Sequence, residues 1–121
     1  MADETLPKNE RLCGLTAVGN LFEHGKSLSV GCLRVKYLLR EGSSGEPARI
    51  VVSVPKRSFK RAVKRNLLKR RIRESYRRQK GLLPAGVDVL FIYTLPTVLP
   101  YEAVYADMTA VLTAIADALR P

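Results

Sequence analysis

The sequence predicts one α/β domain with the element order α-β-β-α-β-α, in which a helix joins the second strand to the third. Three short stretches are rich in alternating or β-branched apolar residues, which is typical of strands, and the stretches around them have helical spacing. The chain has 121 residues, 46% of them hydrophobic, so it is long enough to bury one modest core. The helical connection also allows the second and third strands to run parallel.

The first helix is predicted over residues 16–24, after residues 1–9, which we expect to form a flexible tail. Gly25 follows the helix as a C-terminal stop. Phe22 shares helical spacing with two other apolar residues of this stretch. This spacing, taken without other information, favours a core position for Phe22 over a ligand contact.

The three strands are predicted from stretches of different character. Residues 33–38, LRVKYL, place apolar side chains at every second position and predict a strand with one apolar face. A turn-rich loop, residues 41–47, separates them from the β-branched residues 50–54, which end at Pro55. Residues 87–93, VDVLFIY, are almost continuously apolar, as expected for a strand that is buried on both sides.

The last helix is predicted over residues 101–119, where Val104, Met108, Val111 and Leu112 begin an apolar stripe with helical spacing. Apart from three acidic residues, its other side chains are uncharged. We therefore interpret this helix as scaffold.

The basic segment, residues 55–80 with the sequence PKRSFKRAVKRNLLKRRIRESYRRQK, concentrates the charge of the protein. It holds 13 of the 21 Lys and Arg residues and one acidic residue, Glu74, so its net charge is +12, whereas the rest of the chain is −2. Each Lys or Arg that meets a phosphate releases a condensed counterion, so the segment favours a polyanionic partner. The alternative is a solvated face that aids solubility, and the concentration of arginine in one place argues against it.

Within the basic segment, residues 59–79 contain no Pro or Gly and predict one helix, with Ser58 as its N-terminal cap. At about 100° per residue, this helix has an apolar side and a polar side. The apolar side consists of Leu68, Ile72 and Tyr76, and the polar side consists of Asn66, Arg70, Arg73 and Arg77. The planar guanidinium suits bidentate contacts with phosphate, and the Asn amide can donate and accept at a base or sugar edge.

Catalytic chemistry is not predicted from the residues of this chain. The sequence contains one histidine, His24, and its acidic residues show no catalytic or metal-binding spacing. Cys13 and Cys32 fit no standard zinc pattern, and we do not expect them to form a disulfide. The chain therefore predicts a binding module with no catalytic residue and no metal held by the protein.

The sequence also bears on the cellular compartment. The N-terminal residues are acidic and polar, which argues against a signal peptide. No apolar run approaches the ~18–20 residues of a membrane span. We therefore expect a cytoplasmic protein without a membrane partner.

One string in the basic segment is specific enough to indicate a family. Residues 62–74, AVKRNLLKRRIRE, resemble the signature of the bacterial ribonuclease P protein component, which is approximately A-V-x-R-N-R-x-K-R-x-x-R-E. Residues 53–57 and 82–89 resemble the strand end that precedes this signature and the L-P-x-G-x-D region that follows it. The resemblance extends over about residues 8–119. Leu67 departs from it, because the family usually has the second Arg of its R-N-R motif there.

The resemblance implies a fold and a function. The fold is an α/β (α+β) sandwich of ribosomal-protein-like split type, with a small mixed sheet of about four strands, in a single RNA-binding domain over residues 1–121. It includes a left-handed β-α-β crossover, where handedness rules predict a right-handed one. The implied function is that of the protein subunit of a ribonucleoprotein. Its RNA subunit, with Mg²⁺ held mainly by RNA and substrate, performs the hydrolysis that releases the 5′ leader of precursor tRNA.

The family motif also implies two sets of RNA contacts. The catalytic RNA is expected to meet Lys56, Arg57, Lys60, Arg61, Lys64, Arg65, Asn66, Lys69, Arg70, Arg73 and Arg77. The single-stranded leader is expected in a cleft between the first helix and the sheet, beside Phe22 and Tyr37, with Lys36 as the alternative to Tyr37. Single strands expose base faces to aromatic side chains, which suits this role. Val18 departs from the family, which commonly has a further aromatic residue there.

Two other functions fit the charge of the chain. A structural RNA-binding protein, such as a ribosomal protein of similar split fold, would be equally basic, and the R-N-x-x-K-R-x-x-R-E string distinguishes the two. A DNA-binding basic region would fit Asn66 followed by arginine-rich turns, but Gly81, Pro84 and Gly86 end the helix before any leucine heptads. The expected partners are therefore the catalytic RNA and precursor tRNA, and not DNA.

Overall fold

The computed structural model of the protein describes residues 15–39, 48–56 and 59–119, without the side chains of residues 15–18 and 20. Its elements follow in the order α1 (Leu15–His24), β1 (Lys26–Val30), β2 (Leu33–Leu39), β3 (Arg49–Ser53), α2 (Ala62–Gln79), β4 (Val87–Tyr93) and α3 (Tyr101–Leu119), with a short 3-10 helix (Lys80–Leu82) after α2. The predicted bounds of the last strand and the last helix are confirmed. Among the described helices, none is long and apolar enough to cross a bilayer.

The described strands form a four-stranded mixed sheet with the spatial order β1-β2-β4-β3. Two pairs, β1–β2 and β2–β4, are antiparallel, whereas β3 and β4 are parallel and are joined through α2. The mixed sheet and the parallel pair around the basic helix are thus confirmed. The left hand of this crossover stays a prediction.

Strand β1 was not predicted from the residue pattern. Its sequence, KSLSV, contains two apolar residues, and it lies at the edge of the sheet, where polar residues are common. A tight turn at Gly31 and Cys32 connects it with β2, and Gly31 has φ +54°. A Cβ at position 31 would overlap the Asp107 carboxylate of α3, which accepts a hydrogen bond from the Cys32 N–H at 2.9 Å. This hairpin therefore depends on a glycine and on a distant helix.

The main core lies between one face of the sheet and helices α2 and α3. Strand β2 buries Leu33, Val35 and Tyr37 there, as its alternation predicts. Phe91 of β4 contacts Tyr76 of α2, with ring centroids 6.0 Å apart. The apolar side predicted for the basic helix is therefore its core side.

Helix α1 packs on the opposite face of the sheet. Leu21 is fully buried there and packs with Leu90 of β4. We call this surface the α1 face, and its sheet side chains include Arg34, Lys36, Leu38, Leu90 and Ile92. Of these side chains, Arg34 is exposed, Lys36, Leu38 and Ile92 are half-buried, and Leu90 is buried.

Helix α2 begins at Ala62, three residues later than predicted. The proposed cap is wrong: the cap position is Arg61, which makes no side-chain capping hydrogen bond, and Ser58 lies outside the described residues. Phe59 turns into the core instead, with its ring centroid 5.9 Å from that of Tyr93. Burying a Phe side chain is worth about 1.5–3 kcal/mol, which exceeds what one further helical turn contributes in water.

Candidate nucleic-acid interface

The exposed side of α2 presents cationic and amide groups on successive helical turns. Asn66, Arg70 and Arg73 are exposed, as predicted, because Leu68 and Ile72 on the other side are buried in the core. We call Asn66, Arg70 and Arg73 the basic face. The three side chains extend over about 10 Å of helix, since each residue rises ~1.5 Å. They are therefore placed to meet neighbouring phosphates of one polyanion.

A second group of cations surrounds the amino end of α2. Lys60, Arg61 and Lys64 are exposed there, as is Lys56 just before them, whereas Arg57 lies outside the described residues. The amino end of a helix has a partial positive charge, so cations there are unfavourable and bound anions are favourable. The first turn of α2 contains no acidic residue to offset this charge. The arrangement is therefore costly for the free protein and favourable for a polyanion complex.

Some basic residues of α2 have structural partners. Arg65, a predicted RNA contact, donates from Nη1 to two backbone carbonyls of the turn before α2, including that of Lys60 at 3.0 Å. Arg71 donates to the Leu99 carbonyl in the loop before α3. Lys69 is half-buried at the border of the basic face. Arg65 therefore holds the end of the β3–α2 connection, and Arg71 holds the end of the β4–α3 connection.

Arg77 shares a carboxylate with Arg78. It donates from Nε and Nη2 to the two oxygens of Glu74 at 2.8 and 2.7 Å, and Arg78 Nε donates to Glu74 Oε2 at 2.7 Å. The hydrogen bonds from Arg77, and then those from Arg78, lower the pKa of Glu74 to about 2. Arg77 is thus partly neutralised, and a phosphate at this turn would compete with Glu74.

Phe22 lies on the surface, so the core position favoured by its spacing is wrong. Its side chain is 51% exposed, and Lys36 Nζ on β2 lies 5.4 Å from the ring centroid. This distance is typical of a cation–π interaction. We call this pair the Phe22–Lys36 surface, and it offers an aromatic ring and a positive charge together.

Tyr37 is not part of the Phe22–Lys36 surface. Its side chain is 5% exposed and faces α2 and α3 in the core. Because successive residues of a strand point to opposite faces, Tyr37 and Lys36 cannot both lie beside Phe22. The strand residue beside Phe22 is therefore the alternative, Lys36, and not Tyr37. Contact of Lys36 with the leader stays a prediction.

Arg34 is a cation of the α1 face that sequence reasoning did not select. It is exposed, two residues from Lys36 on the same strand, and pairs in register with Ile92 of β4. The alternation of β2 was the signal that could have found it. Arg49, unlike Arg34, forms an ion pair with an acidic residue: its Nε and Nη2 donate to both oxygens of the nearly buried Asp88 at 2.9 and 2.8 Å. Arg34 and Lys36 therefore dominate the positive charge of the described part of this face.

The described residues hold no group of three or more His, Cys, Asp or Glu side chains that could bind a metal ion. His24 is exposed at the end of α1, as expected. The Cys32 thiol is buried, and burial together with its hydrogen bond to Asp107 raises its pKa to about 12. A thiol with this pKa stays protonated at neutral pH and is a poor nucleophile.

The fold and these surfaces define a class, namely small α+β domains with a basic helix between two parallel strands, an arrangement that suits contact with a polyanion. On one side of the sheet this protein presents the basic face of α2. On the other side it presents an aromatic ring and a lysine next to α1.

Comparison with known proteins identifies the family. The family model described as Ribonuclease P matches residues 6–116. A ribonuclease P protein component of Porphyromonas gingivalis is 44% identical over 78 residues, which span 64% of this chain and 57% of that relative. One from Petrotoga mobilis is 39% identical over 92 residues, which span 76% of this chain and 75% of that relative.

A solved structure agrees with these matches. The RNase P protein from Thermotoga maritima superposes with a TM-score of 0.76 at 27% identity, covering 88% of this chain and 97% of that structure. The chain belongs to the ribonuclease P protein family. The matched segment spans little more than half the length of the relative from Porphyromonas gingivalis.

Proposed function

We propose that the protein is the protein subunit of a cytoplasmic ribonuclease P ribonucleoprotein, in which it binds the catalytic RNA and precursor tRNA and assists removal of the 5′ leader. The observation that most supports this function is the basic face of α2. A segment with a net charge of +12 folds so that Leu68 and Ile72 are buried while Asn66, Arg70 and Arg73 are exposed. Membership of the family supports RNA as the polyanion.

The catalytic RNA binds α2 in this proposal. Its phosphates meet the basic face, and they also approach the cations at the amino end of the helix, where the helix dipole adds to the attraction. Arg65 acts indirectly, because its guanidinium is already bound to backbone carbonyls of the preceding turn. Arg77 contributes less than Arg70, since Glu74 neutralises part of its charge.

The leader of precursor tRNA binds the Phe22–Lys36 surface. An unpaired base stacks on the exposed ring of Phe22, and Lys36 and Arg34 attract the phosphates of the strand. The two RNA molecules thereby bind opposite sides of the sheet. The protein can hold both at once and increase the affinity of the particle for precursor over mature tRNA.

The phosphodiester is hydrolysed by the RNA subunit with Mg²⁺. The described residues of the protein do not fit a metal site, so we assign the ions to RNA and substrate and derive no step through them. The contribution of the protein is to bind, to orient the leader and to screen the repulsion between two RNA molecules. Cations of α2 supply this screening where counterions would otherwise be needed.

The proposal is tested by reconstitution. The protein is added to the catalytic RNA of the same organism at a Mg²⁺ concentration too low for efficient cleavage by the RNA, and cleavage of precursor tRNA at the mature 5′ end is measured. We expect the protein to restore cleavage and to lower the KM for precursor tRNA. A protein that binds this RNA no better than ribosomal RNA or duplex DNA, and that leaves cleavage unchanged, would contradict the proposed function.

A further inference from the structure

A groove of about 620 Å³ lies beside the amino end of α2. Some of its residues are proposed RNA contacts, but no ligand has been assigned to the groove itself. Because β3 and β4 are parallel, the chain segments that follow them leave the same edge of the sheet. Phe59 and Lys60 follow β3, Pro96 and Val98 follow β4, and the groove lies between them. Its volume is within the ~300–1,000 Å³ that accommodates small ligands.

The lining of the groove combines two kinds of surface. Phe59, Leu67, Pro96 and Val98 contribute apolar surface. The cationic residues Lys60, Arg61 and Lys64 line it as well, and all three are exposed. A ligand that satisfies both must have a compact apolar part with anionic groups next to it.

The loop that forms one wall of the groove is held in place. The Tyr93 hydroxyl donates to the Thr97 carbonyl at 2.6 Å and accepts from the Leu99 N–H at 3.2 Å. Arg71 of α2 also donates to the Leu99 carbonyl. A wall with these hydrogen bonds is formed before a ligand binds, which reduces the ordering cost of binding.

We propose that this groove receives the base of one unpaired nucleotide of the RNA subunit, with the flanking phosphates on Lys60, Arg61 and Lys64. The proposal rests on the proposed function. A nucleotide has an apolar base face and an adjacent phosphate, and both match the lining. Paired RNA keeps its base faces inside the stack, so the occupant is an unpaired nucleotide.

The RNA subunit, rather than the leader, is the source of this nucleotide. The groove includes Lys64 and Leu67 of α2 and is therefore continuous with the helix that presents the basic face. The Phe22–Lys36 surface is on the opposite face of the sheet, under α1. A leader strand bound there contacts the other face of the sheet and not the groove.

The experiment measures base reactivity in the RNA subunit. Full-length RNA is probed with dimethyl sulfate and a carbodiimide, which modify the pairing edges of accessible bases, in complexes with the wild-type protein, Leu67→Ala and the control Leu82→Ala. Leu82 is an exposed leucine after the far end of α2 and does not line the groove, so its truncation removes the same atoms elsewhere. We expect an unpaired base that is protected by the wild type and Leu82→Ala to become reactive with Leu67→Ala.

Affinity is measured on the same complexes. Loss of the apolar contact with the base should weaken binding by Leu67→Ala roughly 4- to 60-fold, the equivalent of ~0.8 kcal/mol for each of one to three buried carbon atoms. The slope of log affinity against log salt should not change, because no cation is removed. Lys64→Ala, by contrast, should flatten that slope by about one unit.

A second variant excludes a trivial loss of structure. Leu67 is half-buried, so melting temperatures are measured, and Thr97→Trp fills the groove from its exposed rim without removing a buried side chain. We expect Thr97→Trp to expose the same base. Unchanged base reactivities and affinities for both variants, or a protected base in the leader instead, would overturn the proposal while the proposed function stands. A wild-type protein that fails to bind the RNA subunit would overturn both.

Discussion

Leu21 and Phe22 are adjacent apolar residues that lie in opposite environments. Leu21 is fully buried against the sheet, whereas Phe22 points to solvent beside Lys36. An exposed aromatic ring next to a cation is available to stack with an unpaired base and to attract its phosphate. At the scale of the residue, the proposed leader contact rests on a side chain that is exposed although its hydrophobicity favours burial.

Replacing Phe22 with alanine should affect substrate and not stability. The ring is 51% exposed, so Phe22→Ala should leave the melting temperature nearly unchanged. The holoenzyme should lose about 1–3 kcal/mol of affinity for precursor tRNA with a long leader, because one stacking contact is lost. Binding of mature tRNA serves as the control and should not change. A lower melting temperature with equal loss for both tRNA forms would show that the ring is structural.

Removing one guanidinium of the basic face should weaken binding of the catalytic RNA specifically. Arg70→Ala should cost about 1–3 kcal/mol if a charge-assisted bond is lost, and the salt slope should decrease by about one unit. Arg78→Ala is the matched control, since Arg78 lies on the same helix beyond the basic face and pairs with Glu74. Equal losses for the two variants in filter-binding titrations would mean that charge acts diffusely and not through a site.

At the scale of the element, α2 has to be a core helix and a polyanion-binding helix together. Its buried side includes the polar residue Gln79, whose amide donates to the Tyr105 carbonyl of α3 at 3.2 Å and whose oxygen accepts from the Thr109 hydroxyl. These contacts fix the rotation of α2 about its axis, because the amide has its partners in one orientation. The basic face is thus kept outward by interactions on the opposite side of the helix.

The Glu74 ion pairs make the stability of α2 depend on pH. Arg77 and Arg78 lower the pKa of Glu74 from 4.5 to about 2 in the folded protein. Since the folded-state pKa is the lower one, the stabilisation is present above about pH 4.5 and is lost as the pH falls towards 2. These side chains reach solvent, so the contribution is at most about 1 kcal/mol. In urea unfolding, the difference between wild type and Glu74→Gln should be larger at pH 7 than at pH 3, and a difference independent of pH would contradict this account.

The β1–β2 hairpin should tolerate no side chain at position 31. Gly31→Ala adds a Cβ that overlaps the Asp107 carboxylate and places a non-glycine residue at φ +54°, so it should destabilise the protein by about 1–3 kcal/mol. Gly19→Ala in α1 is the matched control, because a Cβ there meets no atom of the described residues within 4 Å. It should stabilise the helix by about 0.5–1 kcal/mol. Urea unfolding checks both values, and equal effects of the two substitutions would refute the assignment of the turn.

At the scale of the whole molecule, the charge is separated from the scaffold. The basic segment has a net charge of +12 and the remainder −2, so the field of the protein originates from α2 and the residues just before it. Helix α3 and the sheet provide the support on which that helix is presented. This concentration of charge on one helix supports the proposed binding of RNA.

The isolated protein should not cleave RNA. The chain contains one histidine, which is exposed on α1, and its acidic residue in the basic segment is held by two arginines. A preparation freed of RNA is incubated with end-labelled precursor tRNA and Mg²⁺, and the products are compared with those of the reconstituted particle. Cleavage at the mature 5′ end by the RNA-free protein would disprove this prediction.

Patterns that depend on neighbours along the chain were predictable from the sequence. The bounds of β4 and α3 and the two sides of α2 follow from the spacing of apolar residues, because period 2 and period 3.6 are local properties of the backbone. The family followed from a string of residues within α2. The family motif also implied Lys60, Arg61, Lys64, Arg70 and Arg73 as RNA contacts. All five side chains are exposed.

What only the tertiary structure decided depends on residues far apart in the chain. Strand β1 is stabilised by pairing with β2 and by Asp107 of α3, which its own weak pattern does not reveal. Helix α2 starts late because Phe59 is buried against Tyr93. The exposure of Phe22 depends on where α1 lies on the sheet, since a helix presents several apolar residues and the sheet accepts those that reach it. Spacing along a chain specifies the faces of an element, and packing between elements specifies which of those faces remains available to RNA.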